Sequence, residues 1–147
     1  MDEENEKTNV ILAQWQTCVE MANSVSQRRD TTNNLFVTMN LAIIAAVSIV
    51  WDLKSLFLMA AGIAVCTLWI KMIGHFRVLN QAKFDVINSL EALLPSKPFS
   101  NEWEQLSNND QYKDATSWEK WLPWVFIALY VIAIIAILTI RFCCGGV

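Results

Sequence analysis

Three stretches of this chain carry no charged residue: Thr31–Trp51, Ser55–Ile70 and Trp121–Ile140. The first and third reach the ~20 residues that a helix needs to cross the hydrocarbon of a bilayer. The second is shorter, but Leu53 extends it, and Lys54 and Lys71 can snorkel from its two ends. A soluble domain of 147 residues, 54% hydrophobic and 17% charged, seldom gathers its apolar residues in such runs. The pattern predicts one all-α membrane domain with three transmembrane helices; a buried soluble helix competes only for the second run.

The stretch Ser55–Phe99 organises the rest. Its first part is uncharged, while Lys71–Leu94 is charged yet keeps an apolar residue every third or fourth position. Gly74 is the only weak helix former between them, and a lone glycine does not end a helix. The second span is therefore expected to continue into water as one helix. At ~1.5 Å per residue it is roughly 60 Å long, about twice the hydrocarbon thickness. Pro95 should stop it, because the residue before a proline avoids the α region.

Lysine and arginine set the orientation. Lys7, Arg28 and Arg29 precede the first span, Lys54 alone lies between the first two, and Lys71, Arg77, Lys83, Lys97, Lys113 and Lys120 lie before the third. That bias places the N-terminus and the central region in the cytoplasm and the C-terminus outside. The acidic opening Asp2–Glu6 is the reverse of a signal peptide. The expected organisation is a cytoplasmic N-terminal helix (1–30), spans at 31–51, 53–70 and 121–141, a cytoplasmic helical region (71–120) and a short external tail (142–147).

Ile11, Trp15, Cys18, Ala22 and Val25 make one apolar face of the N-terminal helix, expected to pack on the projecting part of the second helix. Thr8 or Asn9 is placed to cap it. Arg28 and Arg29 are read either as anchors at the phosphate level or as partners for Asp30, Glu20 or Glu91. Inside the first span, Asn33, Asn40 and Ser48 lie close to one stripe. An amide in hydrocarbon needs a partner, so these residues either join helices or line water in a pore. Gly62 and Cys66, four apart, let helices approach closely in the second span. The third span has little polar content and is expected to face lipid.

The projecting helix carries two adjoining apolar stripes, Ile73-Phe76-Phe84-Ile87-Leu94 and Leu79-Val86-Leu90-Leu93, with Lys83 and Glu91 among them. Together they are broader than one short helix can cover. Either the N-terminal helix and the segment after Pro95, where Phe99 and Trp103 are placed as plugs, both pack on this surface, or copies of the chain pack on each other there. Ser100 or Asn101 can cap a short helix, and Thr116 with Glu119 makes a capping box before the third span.

Leu79-Asn80-Gln81-Ala82-Lys83-Phe84-Asp85-Val86-Ile87, then Glu91, Leu94-Pro95-Ser96-Lys97-Pro98-Phe99 and Glu102-Trp103, resembles the RipA family of small bacterial membrane proteins. Ser26-x-Arg28-Arg29-x-x-x-Asn33 and Thr116-x-x-Glu119 before Pro123 are similar to further motifs of that family. The resemblance spans Trp15–Tyr130. It implies an octamer in the bacterial inner membrane, a link to growth inside host cells or to anti-phage genes, and no catalytic chemistry. The tail Arg141–Val147 is not part of it.

The chemical inventory agrees in being sparse. There is one histidine, His75, and the four cysteines Cys18, Cys66, Cys143 and Cys144 have no metal-ligand spacing. No phosphate loop, Ser-His-Asp set or nucleic-acid surface is present. The expected protein is therefore no enzyme and takes no cofactor. Its expected partners are its own copies and the lipid bilayer, with a cytoplasmic protein as a further candidate and no nucleic acid. Helix-packing or oligomer contacts are expected at Arg28, Arg29, Asn33, Asn40, Gly62, Lys83, Phe84, Leu90, Glu91, Pro95, Phe99 and Trp103. Two functions fit: a membrane scaffold or assembly in stress, host adaptation or defence, or a pore-forming or membrane-perturbing effector, as in anti-phage defence, with Asn33, Asn40 and Ser48 as the candidate pore lining.

Overall fold

A computed structural model describes residues 2–109 and 119–144. Among these residues there are four helices and no strand: α1 (Asp2–Ile49), α2 (Ser55–Glu91), α3 (Pro98–Ser107) and α4 (Trp121–Cys144). α1, α2 and α4 are each long and apolar enough to cross a membrane. The fold is that of an all-α membrane protein. Residues 1–29 with 75–114 form one compact unit, called the charged unit below, and residues 30–74 with 115–147 form the other, the span unit.

The sequence suggests a boundary near residue 30, yet α1 passes through it as one helix. The segment 26–34 is polar but contains neither proline nor glycine. Serine and threonine are tolerated in a helix when their hydroxyls turn back on the preceding turn. The Oγ1–H groups of Thr8, Thr17 and Thr38 do so, donating to Glu4 O, Ala13 O and Asn34 O at 2.9, 2.9 and 2.8 Å. Thr8 is thus an interior residue rather than a cap, and α1 already begins at Asp2, where the exposed pair Lys7–Glu3 closes at 3.0 Å.

α1 and α2 are joined by a tight turn in which buried Ser55 donates its backbone N–H (2.9 Å) and its hydroxyl (2.6 Å) to Asp52 O. This fixes the start of α2 at Ser55 and leaves Leu53 exposed in the turn. α2 runs through Gly74 without a break. It ends by tightening: Ala92 N–H still reaches Asn88 O, but Leu93 and Leu94 N–H reach back only three residues. Pro95 lies in the turn beyond, and Pro98 opens α3 at a position where its fixed φ suits a helix and its missing N–H costs nothing.

The third span does not simply face lipid. α4 buries Pro123, Phe126, Tyr130 and Ile137, a stripe at helical spacing, and exposes the isoleucines and leucines around it. Pro123 sits in the first turn of α4, where the N–H has no intrahelical partner to lose. The core of the span unit is Val47, Met59, Cys66, Trp69, Ile73, Phe126, Tyr130 and Ile137. In the charged unit, Ala22 and Val25 of α1 and Phe76 and Ile87 of α2 are buried. Each large apolar side chain buried there contributes about 1.5–3 kcal/mol.

The Thr116–Glu119 capping box, Trp118 and most of the polar segment 107–114 fall outside the described residues, as do the tail 145–147 and the side chains of Cys143 and Cys144.

Candidate functional site: two helix joints, a cross-helix cap and a bare stripe

Asn40 is fully buried in the middle of the first span. Its Nδ2 donates to Phe36 O at 2.8 Å, the backbone carbonyl one turn back. Its Oδ1 accepts from two other helices: Cys66 Sγ–H of α2 at 3.2 Å and Tyr130 O–H of α4 at 3.0 Å. One amide therefore ties three spans together. Hydrocarbon offers no water to satisfy such groups, so the partners must come from neighbouring helices.

Gly62 makes room for this knot. A Cβ at that position would lie 2.6 Å from Tyr130 Cε2 and 2.8 Å from Tyr130 Oη. These distances are shorter than side-chain contacts allow, so the tyrosine ring occupies the space that any larger residue would fill. Glycine at 62 and tyrosine at 130 are one feature, built from two helices.

A second joint is centred on Trp69, which is almost wholly buried. Its Nε1–H donates to Asn33 Oδ1 at 2.8 Å. Its ring stacks on Phe36 of α1 (5.7 Å between centroids, 8° between planes) and tilts against Phe126 of α4 (6.2 Å). Aromatic pairs at such distances contribute about 0.5–1.5 kcal/mol each beyond area burial. Asn33 also forms part of the wall of an open cleft of about 410 Å³, with Asp30, Asn34, Val37, Trp69, Glu119 and Leu122. Two carboxylates in that wall make it a poor seat for a lipid phosphate.

In the charged unit, fully buried Glu91 of α2 caps α3 from outside. Its carboxylate accepts from Phe99 N–H (2.9 Å), Ser100 N–H (3.0 Å) and Ser100 Oγ–H (2.8 Å). α3 has no side-chain cap of its own at Lys97, so Glu91 supplies what its first turn lacks. Neither Ser100 nor Asn101 is the cap: Ser100 is a donor inside the first turn. Once docked, α3 presents Phe99, whose ring touches Trp15 of α1 (5.7 Å) and Phe84 of α2 (5.9 Å).

Burial alone would push the Glu91 carboxyl up. The Phe99 N–H, the Ser100 hydroxyl and N–H, and the Lys97 charge together outweigh it and hold the group below its ordinary value of 4.5. A carboxyl with a lowered native pKa stabilises fully above its unfolded-state value, and that stabilisation is lost as pH falls through the lower, native value. Protection of the Phe99 and Ser100 amides, taken relative to their intrinsic exchange rates, is therefore expected to fall as pH drops below about 4.5. Glu91→Gln is expected to expose these amides at neutral pH, at a cost of about 1–3 kcal/mol, and to remove the acid step. Unchanged exchange in that variant would refute the cap.

The two stripes of α2 have different fates. Ile73, Phe76 and Ile87 are buried and Phe84 is half-buried. The other stripe, Leu79, Val86 and Leu93, is exposed, with Leu90 half-buried at its edge. Val78, 68% exposed, extends this bare surface. Lys83 is half-buried, Pro95 and Arg28 are exposed, and Arg29 is half-buried. Trp103 is exposed, and Phe99 packs between Trp15 and Phe84. Ser48 is exposed and returns its hydroxyl to Ile44 O at 2.9 Å.

Sequence reasoning singles out Asn33, Asn40 and Gly62 but misses their partners Trp69 and Tyr130. A tyrosine in the middle of an apolar run, far from either interface, is the signal that could have found the latter, because its hydroxyl needs a partner there.

Three apolar helices joined through Asn40 and Asn33, and a charged unit with an exposed apolar stripe, define an all-α membrane protein. Residues 12–139 match the octameric membrane protein family (8xMP), and the chain belongs to that family. A search of curated proteins and a search of solved structures each returned no match.

Proposed function

We propose that the chain is a non-enzymatic scaffold: eight copies assembled in the bacterial inner membrane, with the N-terminus and the charged unit on the cytoplasmic side and the C-terminus outside. The observation that carries this reading is the bare Val78-Leu79-Val86-Leu93 stripe of α2. It lies among Arg77, Lys83 and Asp85, in the charged half of the helix where lipid tails do not cover it. An apolar surface left open to water calls for a protein partner, and an octameric family supplies one in further copies of the chain. The distribution of lysine and arginine supports the orientation.

The RipA-like motif block supports placing the chain near those members of the octameric family, and with them a role in stress, host adaptation or defence. The pore alternative needs Asn33 and Asn40 to face water. Both amides are engaged between helices within one protomer, which favours the scaffold.

Val86→Asp is expected to shift the detergent-solubilised protein from an octamer to small species while leaving its helical content unchanged. Light scattering and circular dichroism measure the two quantities. An undiminished octamer in this variant would remove the α2 stripe from the assembly contact.

A further inference from the structure

Resting on the assembly reading above, we infer that the bare stripe of α2 docks onto the outer face of α1 in the next copy, not onto its own counterpart. Copies of one membrane protein insert in one orientation, because the same lysine and arginine pattern directs each of them. Symmetry axes relating such copies must therefore run along the membrane normal. A family of eight then closes as a ring, and a ring is built from heterologous contacts in which each copy offers two different surfaces. A stripe-to-stripe contact would pair copies by a two-fold axis and stop at two.

The second surface must lie in the charged unit at the same height as the stripe. α1 provides it. Val10 and Met21 are 53% and 51% exposed, and their spacing of three helical turns puts them on one face. That face is distinct from the one that buries Ala22 and Val25. Height follows from Phe99, which touches both Trp15 and Phe84 and so levels those two residues. α1 and α2 run in opposite chain directions from their connecting turn. Met21, six residues from Trp15, is thus level with Val78, six residues from Phe84. Val10 falls between Val86 and Leu93 on the same count. The exposed apolar residues of the two faces match in height, as a lateral contact around a ring requires.

The test is cysteine cross-linking of the full chain in membranes, in a background with Cys18, Cys143 and Cys144 replaced by serine. Cys66 stays, since it is buried in the Asn40 knot. A short bis-maleimide on the double variants Val10→Cys/Val86→Cys and Met21→Cys/Val78→Cys should give a ladder extending to eight rungs. Each single variant should remain monomeric, and an equal mixture of Val10→Cys and Val86→Cys chains should stop at dimers. Dimers from Val86→Cys alone would overturn the heterologous contact. Absence of a ladder from both double variants, with the octamer intact by light scattering, would move the second surface away from α1. A wild-type chain that is monomeric in membranes would instead overturn the assembly reading itself.

Discussion

Gly62→Val should break the packing of the three spans, and Gly62→Ala should weaken it. The Tyr130 ring occupies the space of the missing side chain, with Cε2 and Oη inside the reach of even a single Cβ. Two adjustments are available: the ring can swing out, which forfeits its hydrogen bond to Asn40, or the helices can separate, which forfeits the contacts of Met59, Cys66 and Trp69 around it. Overpacking of this kind costs about 1–3 kcal/mol for the smaller change and more for the larger. The pair should be strongly coupled. Tyr130→Leu, which shortens the ring away, should make Gly62→Ala nearly harmless, so a double-mutant cycle on unfolding in detergent should return an interaction energy above about 1 kcal/mol. Additive effects would mean that Gly62 and Tyr130 do not share this space.

Asn40→Leu distinguishes the scaffold from the pore. The substitution keeps the volume of the side chain and removes its polar atoms, leaving Cys66 Sγ–H without its acceptor and Tyr130 O–H with only the longer bond to the residue-40 carbonyl, at 3.3 Å. Interhelical hydrogen bonds in membranes contribute about 0.6–2 kcal/mol each. The scaffold reading expects a less stable three-span bundle, a smaller fraction of octamer, and liposomes that hold their ions with wild type and variant alike. The pore reading expects an intact octamer with altered ion flux, because an amide ring lining water would have been replaced by an apolar constriction. Unfolding midpoint, size profile and flux, taken on one preparation, separate the two: full stability with changed flux refutes the scaffold.

The sequence carries the fold further than it carries the site. Charge-free runs mark an apolar segment in each of three long helices, since only a bilayer rewards such runs, but they give neither the start of α1 at Asp2 nor the end of α2 at Glu91. The rule that amides in hydrocarbon need partners picks Asn33 and Asn40, but says nothing of which helix answers them. Trp69 reads as an interfacial anchor and Tyr130 as a member of a greasy span, and neither residue type announces a joint. Continuity of α1 is hidden for a different reason. Its apolar residues form one face around Trp15–Val25 but surround the helix beyond Asn33, and the polar stretch between them resembles a loop in composition. Only the absence of proline and glycine there argues for a helix. Glu91 is legible as a residue with a partner nearby. Its partner is a helix start rather than an arginine, which becomes visible only once Pro98 is seen to begin α3 seven residues later with no cap of its own.

The Asn40 knot also imposes an order on how the protein is made. Asn40 and Tyr130 are separated by 90 residues, whereas Cys66 follows Asn40 by only 26. At about 5–20 residues per second, the ribosome delivers the tyrosine roughly 5–20 s after the asparagine. Once Cys66 is in place, Asn40 Oδ1 has the thiol as its one donor from another helix until Tyr130 arrives, while Nδ2 keeps its bond to Phe36 O. Phe126 is equally late for Trp69, so both faces of the hairpin that will receive α4 stand open to lipid while the charged segment is still being synthesised. The last span is thus a closing piece: arrest of synthesis before residue 121 would leave a two-helix intermediate in which Asn40 Oδ1 lacks one of its two donors from other helices.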